Sequence, residues 1–149
     1  ALVENLSGGE VPKMDPAAAK TIFFAMHKAI HAGVVRACHD LSEGGLAVAA
    51  AEMAFAGGWG LAAELADAPR APDADDPVVL LFSESNSRLL CEVRPSDAAE
   101  FERRLAGVPF ARIGRVEPGT KLEITWRGRS VLRAELDALK RAWHAPLDW

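Results

Sequence analysis

The sequence predicts an α+β domain, a mixed β-sheet flanked by α-helices. Three observations lead there. Helical and strand patterns follow one another irregularly, with hairpins between helices, and not in the strict strand–helix alternation of a doubly wound fold. Half of the 149 residues are hydrophobic, enough for a substantial core in a chain of this length. No internal repeat breaks the chain into equal units.

The elements follow in order. The opening "ALVENLSGGEVPKMDP" reads as a lead-in loop, and a start at Ala1 suits a piece of a longer polypeptide. Asp15 then caps a helix with Pro16 at its first position. Ile22, Phe23, Met26 and Ile30 recur at helical spacing as its buried face, and Gly33 ends it. "VVRAC", Val34 to Cys38, reads as a short buried strand. A helix from about Gly44 to Ala56 follows. Its packing stripe is Leu46, Ala49, Ala50, Met53 and Ala54, and Gly57-Gly58 stop it. "WGLAAEL", Trp59 to Leu65, alternates as a strand does.

"ADAPRAPDADDP", Ala66 to Pro77, has three prolines, four aspartates and no periodicity, the mark of a solvated loop. It lacks the spacing and the glycine of a calcium-binding loop. "VVLLF", Val78 to Phe82, is a helix end or a buried strand, which five residues cannot separate. "RLLCEVRP", Arg88 to Pro95, is a strand. Ser96 then caps a helix running through Phe101 and Leu105 to Gly107, with Glu100 near its first turn. "FARIGRVEPG" and "KLEITWRGRSVLRAEL" give three short strands, turning at Pro118-Gly119 and Arg127-Gly128. A last helix spans roughly Ala134 to His144, with Leu136, Leu139 and Trp143 on one face.

Composition removes several functions. The net charge of −4 leaves no basic excess to replace phosphate counterions, so a nucleic-acid partner is not expected. No apolar run is long enough for a membrane span, and no signal-peptide pattern opens the chain. Cys38 and Cys91 lie far apart in apolar runs without CxxC or metal-ligand spacing. They read as two free, buried thiols, with a disulfide between them as the alternative. His27 and His31 are four apart on the first helix without a third ligand, and read as surface histidines. The four tryptophans read as core or interface edges, and Trp149 as a residue that docks on another domain. There is no Ser-His-Asp set, Walker A loop or GxGxxG.

Two stretches carry the chemistry. The first is His39-Asp40-Leu41-Ser42-Glu43-Gly44-Gly45, where a strand ends and the Ala-rich helix begins. The first turn of a helix has unpaired N–H groups and a positive dipole end, and two glycines there let a ligand approach the backbone. Such a place holds a phosphate or carboxylate, or is simply a turn capped by Asp40 or Ser42. Asp40 and Glu43 argue against a plain anion cradle; they suit a cation, a hydroxyl-rich sugar or a substrate amide. The second stretch is "FSESNSR", with Glu84, Ser85, Asn86 and Arg88 in a loop between apolar runs. Read plainly it is a polar turn.

"ACHDLSEGGLAVAAAEMAFAGG", "LLFSESNSR" and "FARIGRV" together resemble the C-terminal region of the phosphoribosylformylglycinamidine synthase family, over nearly the whole chain. The HDLSEGG form followed by AEMAFAGG is the purine-synthase version of a turn that differs in sister families: aminoimidazole ribonucleotide synthetase, selenophosphate synthetase, thiamine-monophosphate kinase and a hydrogenase maturation factor. The resemblance implies the C-terminal domain fold of the aminoimidazole ribonucleotide synthetase-like superfamily. Residues 1–149 would then be one domain, the last C-terminal-type domain of a tandem-repeat synthetase.

It also implies a ligase of de novo purine biosynthesis. Formylglycinamide ribonucleotide, ATP and glutamine-derived ammonia would give formylglycinamidine ribonucleotide, ADP and phosphate. ATP and magnesium would be bound mainly by an ATP-type domain outside this chain, and the chain alone would be inactive. His39, Asp40, Ser42, Glu43, Gly44 and Gly45 would face the phosphorylated ligand or the domain cleft. Glu84, Ser85 and Arg88 would lie in the second motif, with Arg88 a phosphate contact. The implied partners are ATP-type domains of the same polypeptide and, in the small form of the enzyme, a glutaminase subunit and a small bridging subunit, all cytoplasmic. The alternatives are a domain of a sister ATP-dependent synthetase or kinase, and a non-catalytic interaction domain.

Overall fold

The computed structural model describes residues 13–72 and 74–147. The lead-in loop up to Pro12 and the expected docking of Trp149 lie outside them. The elements are α1 (Pro16–His31), β1 (Ala37–Asp40), α2 (Gly45–Gly57), β2 (Gly60–Glu64), α3 (Pro77–Phe82), β3 (Leu89–Glu92), α4 (Ala98–Arg104), β4 (Gly114–Glu117), β5 (Lys121–Trp126), β6 (Arg129–Glu135) and α5 (Leu136–His144). Short 3-10 turns stand at Leu65–Asp67, Pro95–Asp97 and Ala145–Leu147.

The architecture is α+β as the sequence predicts, but the strands divide into two sheets. Four strands in the order β4-β2-β5-β6 form a mixed sheet, in which β2 and β5 run parallel and the other pairs antiparallel. β1 and β3 form a separate antiparallel pair. Helix α2 touches both, and α3 and α5 as well. That position explains its composition. Gly45, Leu46, Ala47, Ala49, Ala50, Ala51 and Ala54 are buried around more than one side of the helix, so a single apolar stripe would not suffice. Alanine lets several layers approach at low side-chain entropy cost. The core continues into Leu65, Leu80, Leu81, Leu122, Ile124 and Leu136.

Local signals set most boundaries. The Asp15 carboxylate accepts from the Ala17 and Ala18 amides at 2.9 and 3.3 Å and starts α1. At its other end Gly33, in the left-handed region, donates to the Ile30 carbonyl while Val34 donates to Ala29, a paired closure of the last turn. Arg127 and Gly128 both have positive φ, which gives the β5–β6 turn the twist a two-residue hairpin needs. The "VVLLF" run is helical, because Asp76 caps it with bonds to the Val78 and Val79 amides.

Several expectations are corrected. Phe23 and Ile30 are exposed; α1 buries Ala19, Met26 and Ala29 instead, because only a narrow strip of the helix meets the rest of the chain. β1 begins at Ala37, three residues late, and includes His39 and Asp40; its residues alternate between half-buried and exposed, since the small sheet is covered on one face. Cys38 is accordingly exposed and Cys91 half-buried, not buried thiols. Ser96 does not cap α4; it lies inside the 3-10 turn that precedes it, and its hydroxyl bonds Asp97. Met53 is half-buried, and Ala134 belongs to β6.

Glu64 locks the far end of the large sheet. Its carboxylate accepts from the amides of Ala66, Arg127 and Gly128 and from the Thr125 hydroxyl, all within 3.1 Å. The Ala66 amide first, joined by those of Gly128 and Arg127 and by the Thr125 hydroxyl, pulls this carboxyl down to about 2 against the opposing effect of desolvation. A depressed carboxyl contributes stability above its ordinary pKa and loses it as pH falls toward the folded value. Glu64→Gln is therefore expected to cost about 1 kcal/mol at neutral pH, a figure reduced for solvent screening. The gap to wild type should close between about pH 5 and pH 2; chemical denaturation across that range checks it.

Candidate functional site

The two motifs meet. β1 and β3 pair with Asp40 opposite Leu89, and the Leu41 amide donates to the Arg88 carbonyl at 3.2 Å. The turn after β1 and the loop before β3 thus leave the same end of the small sheet. Gly45 closes the contact. A Cβ there would stand 2.7 Å from the Leu81 carbonyl oxygen and 2.9 Å from that of Ser83, so only glycine lets the start of α2 lie against the backbone after α3. Between the loops is a cavity of about 400 Å³ lined by Phe23, Asp40 to Glu43 and Glu84 to Leu89.

The start of α2 is capped from a distance. Neither Asp40 nor Ser42 caps it, contrary to one sequence reading: Gly44, with positive φ, is the N-cap and has no side chain to do so. The Glu84 carboxylate, 40 residues away, accepts from the Gly44 amide at 2.9 Å. The anion expected at this helix start is therefore supplied by the chain itself. Ser42 donates to the Asp40 carboxylate. That bond first, with the charge of His39 assisting, holds the Asp40 carboxyl below the usual carboxylate range. Glu43 and Ser85 are exposed on the cavity rim. Arg88 is half-buried and turned under its own loop, donating to the Ser83 hydroxyl at 3.1 Å. Burial alone lowers its pKa. Ser87 carries a positive φ of 65° in the same loop, a backbone state that non-glycine residues adopt at a cost.

His39 points away from this cavity. Alternation along β1 sends it to the opposite face from Asp40, toward α2. Its Nε2 meets Glu52 at 2.8 Å and its Nδ1 the Asp40 carbonyl at 2.7 Å, two acceptors that suit an imidazolium donating from both nitrogens. Glu52 also accepts from the Trp143 indole at 2.8 Å, tying α5 to the same point. Partial burial opposes the charge on His39, but the Asp40 carbonyl and then Glu52 outweigh it and raise the pKa. A raised histidine contributes stability that is complete below the ordinary imidazole pKa and is lost as pH rises through the folded value. The His39 ring proton, followed by NMR, is expected to titrate above the ordinary imidazole midpoint, and Glu52→Gln should lower it. An unshifted midpoint in wild type would contradict the bridge.

Of the residues named from sequence, Asp40, Ser42, Glu43, Glu84, Ser85 and Arg88 line one cavity, Gly44 and Gly45 stand beside it at the helix start without lining it, and His39 lies on the other face of β1. Ser83, Ser87, Glu52 and Trp143 were missed. Glu52 stands in the AEMAFAGG run, but nothing in the spacing tells that it meets His39.

The cavity presents three carboxylates, on Asp40, Glu43 and Glu84, and one guanidinium already engaged with Ser83. It suits ligand N–H and O–H groups and disfavours a free polyphosphate. Among the described residues no three His, Cys, Asp or Glu side chains converge for a metal ion. No helix among them is long and apolar enough to cross a membrane.

The family model for the C-terminal domain of AIR synthase related proteins matches residues 2–127. The chain is 40% identical over 146 residues to the phosphoribosylformylglycinamidine synthase subunit PurL of Deinococcus radiodurans, covering 97% of this chain and 19% of that protein. It is 39% identical to the subunit of the same name from Moorella thermoacetica, covering 96% of this chain and again 19% of that protein. The chain thus spans about a fifth of the length of these curated relatives.

Thermotoga maritima PurL complexed with FGAR superposes on 93% of the chain and 23% of its own length, with a TM-score of 0.80 and 23% identity, a likeness of fold. PurL of the same organism complexed with ATP gives a TM-score of 0.78 at 25% identity over 88% of the chain and 23% of its own. The PurLQS structure gives 0.77 at 25% identity over 87% of the chain and 23% of its own.

Proposed function

This chain belongs to the family of AIR synthase related proteins, C-terminal domain, and from that premise we propose that it is the C-terminal part of a phosphoribosylformylglycinamidine synthase. The observation that carries the reading is the joining of HDLSEGG and FSESNSR into one acidic cavity at the start of α2. The relatives whose sequence matches nearly the whole of the chain bear that enzyme's name.

In this reading the chain supplies one wall of a site between domains. Asp40, Glu43 and Glu84 accept hydrogen bonds from the amide or ribose hydroxyls of formylglycinamide ribonucleotide. Among the described residues that line the cavity, Arg88 is the cationic one, and it would meet the phosphate by turning from its bond to Ser83. The three carboxylates keep other phosphates away, so ATP and magnesium lie on an ATP-type companion domain of the same polypeptide, where basic groups and the ion offset the charge of the transferred phosphoryl. Ammonia comes from a glutaminase subunit working with a small bridging subunit; the likeness to the PurLQS structure of Thermotoga maritima supports companion subunits. Such an enzyme works in the cytoplasm.

A wall by itself does no ligase chemistry. The purified 149-residue chain, given ATP, magnesium, ammonia and the ribonucleotide, is expected to release no phosphate, while the full-length polypeptide does. Turnover by the short chain would overturn the split-site reading.

A further inference from the structure

Cys38 and Cys91 are directly opposite each other in the β1–β3 pair, with their sulfurs 3.6 Å apart. The Leu41–Arg88 bond makes those two residues a hydrogen-bonded pair, and counting back along the register makes Cys38 and Cys91 a non-hydrogen-bonded pair. Facing Cα atoms in such a pair are about 4.5 Å apart, inside the window of about 4.4–6.8 Å that a disulfide spans. Closing the bond needs the sulfurs to approach by only about 1.5 Å. Cys38 is exposed and Cys91 half-buried, so a small reagent reaches the first sulfur more easily than the second.

We propose that Cys38 and Cys91 form a dithiol modification site that closes reversibly to a cross-strand disulfide in exchange with a low-molecular-weight disulfide such as oxidised glutathione, fixing β1 to β3 where both loops of the candidate site begin. Cys38 is two residues from Asp40 and Cys91 three from Arg88. The order of attack follows from the surroundings. The Cys91 S–H, donating to the Cys38 sulfur, lowers the Cys38 thiol to about 7 against the effect of burial, with the His39 charge assisting; the same contact and burial push Cys91 up. The Cys38 thiolate attacks one sulfur of oxidised glutathione and releases one glutathione thiolate. Cys91, giving up its proton, then attacks the Cys38 sulfur of the mixed disulfide and releases the second. Two protein thiols become one disulfide, and one oxidised glutathione becomes two reduced glutathiones. The site does not depend on the ligase reading.

The test uses the full-length polypeptide in glutathione redox buffers, quenched by alkylation and mapped by mass spectrometry without reduction. The expected product is the Cys38–Cys91 linked peptide, two hydrogens lighter than the reduced pair, in a fraction that rises with oxidised glutathione and reverses with dithiothreitol. Cys91→Ser should stop at a stable glutathione adduct on Cys38, and Cys38→Ser should give no linked peptide. Oxidation should raise Tm by about 5 °C or more in wild type and in neither variant. A lasting glutathione adduct on wild-type Cys38, or both thiols recovered unreacted under excess oxidised glutathione, would overturn the proposal.

Discussion

Gly45→Val in the full-length polypeptide is expected to destabilise the domain by about 3 kcal/mol or more. Two costs add. The residue has a φ of +64°, which a β-branched side chain does not tolerate. Its Cβ would also press on the Leu81 and Ser83 carbonyl oxygens, which are backbone and cannot rotate aside. Gly44 is the milder case. A Cβ there meets only Val48, a side chain and not backbone, but it stands 2.9 Å from the Val48 Cβ, which no rotamer change moves, so the first turn of α2 must shift slightly; with the positive φ, Gly44→Ala is expected to cost about 2 kcal/mol. Urea denaturation of the two variants gives the comparison. Equal midpoints would mean that the start of α2 is not held against the backbone after α3.

Asp40→Asn is expected to lower kcat/KM for the ribonucleotide by about tenfold or more, the loss from weakening a charge-assisted hydrogen bond, while leaving the melting temperature near wild type. Asp40 is exposed and outside the core, which separates the two readouts. The substitution is chosen for what it keeps: an asparagine oxygen still accepts from Ser42, so the turn survives while the negative charge is lost. Unchanged kinetics would remove Asp40 from the site.

What the sequence told and what it hid divide along the range of the interactions. Asp15, Gly33, Gly57-Gly58 and the Arg127-Gly128 turn act on their immediate neighbours, and each element they bound stands within a few residues of its expected place. The motifs at His39 to Gly45 and Phe82 to Arg88 were legible because strand ends and glycines mark loops. Their joining was not, since the Gly44–Glu84 bond spans 40 residues. The same holds for His39 with Glu52, 13 residues on, and Glu52 with Trp143, 91 residues on. The cysteines misled because apolar flanks suggest a buried strand, whereas a two-stranded sheet beside one helix leaves its other face open. Phe23 and Ile30 misled in the same way: helical spacing marks an apolar face but does not say that this chain covers it.

The most direct test of the account is phosphate release by the full-length polypeptide with ATP, magnesium and ammonia, measured with and without formylglycinamide ribonucleotide. The account predicts release only when the ribonucleotide is present. Release that ignores the ribonucleotide, or that requires a different acceptor, would contradict it.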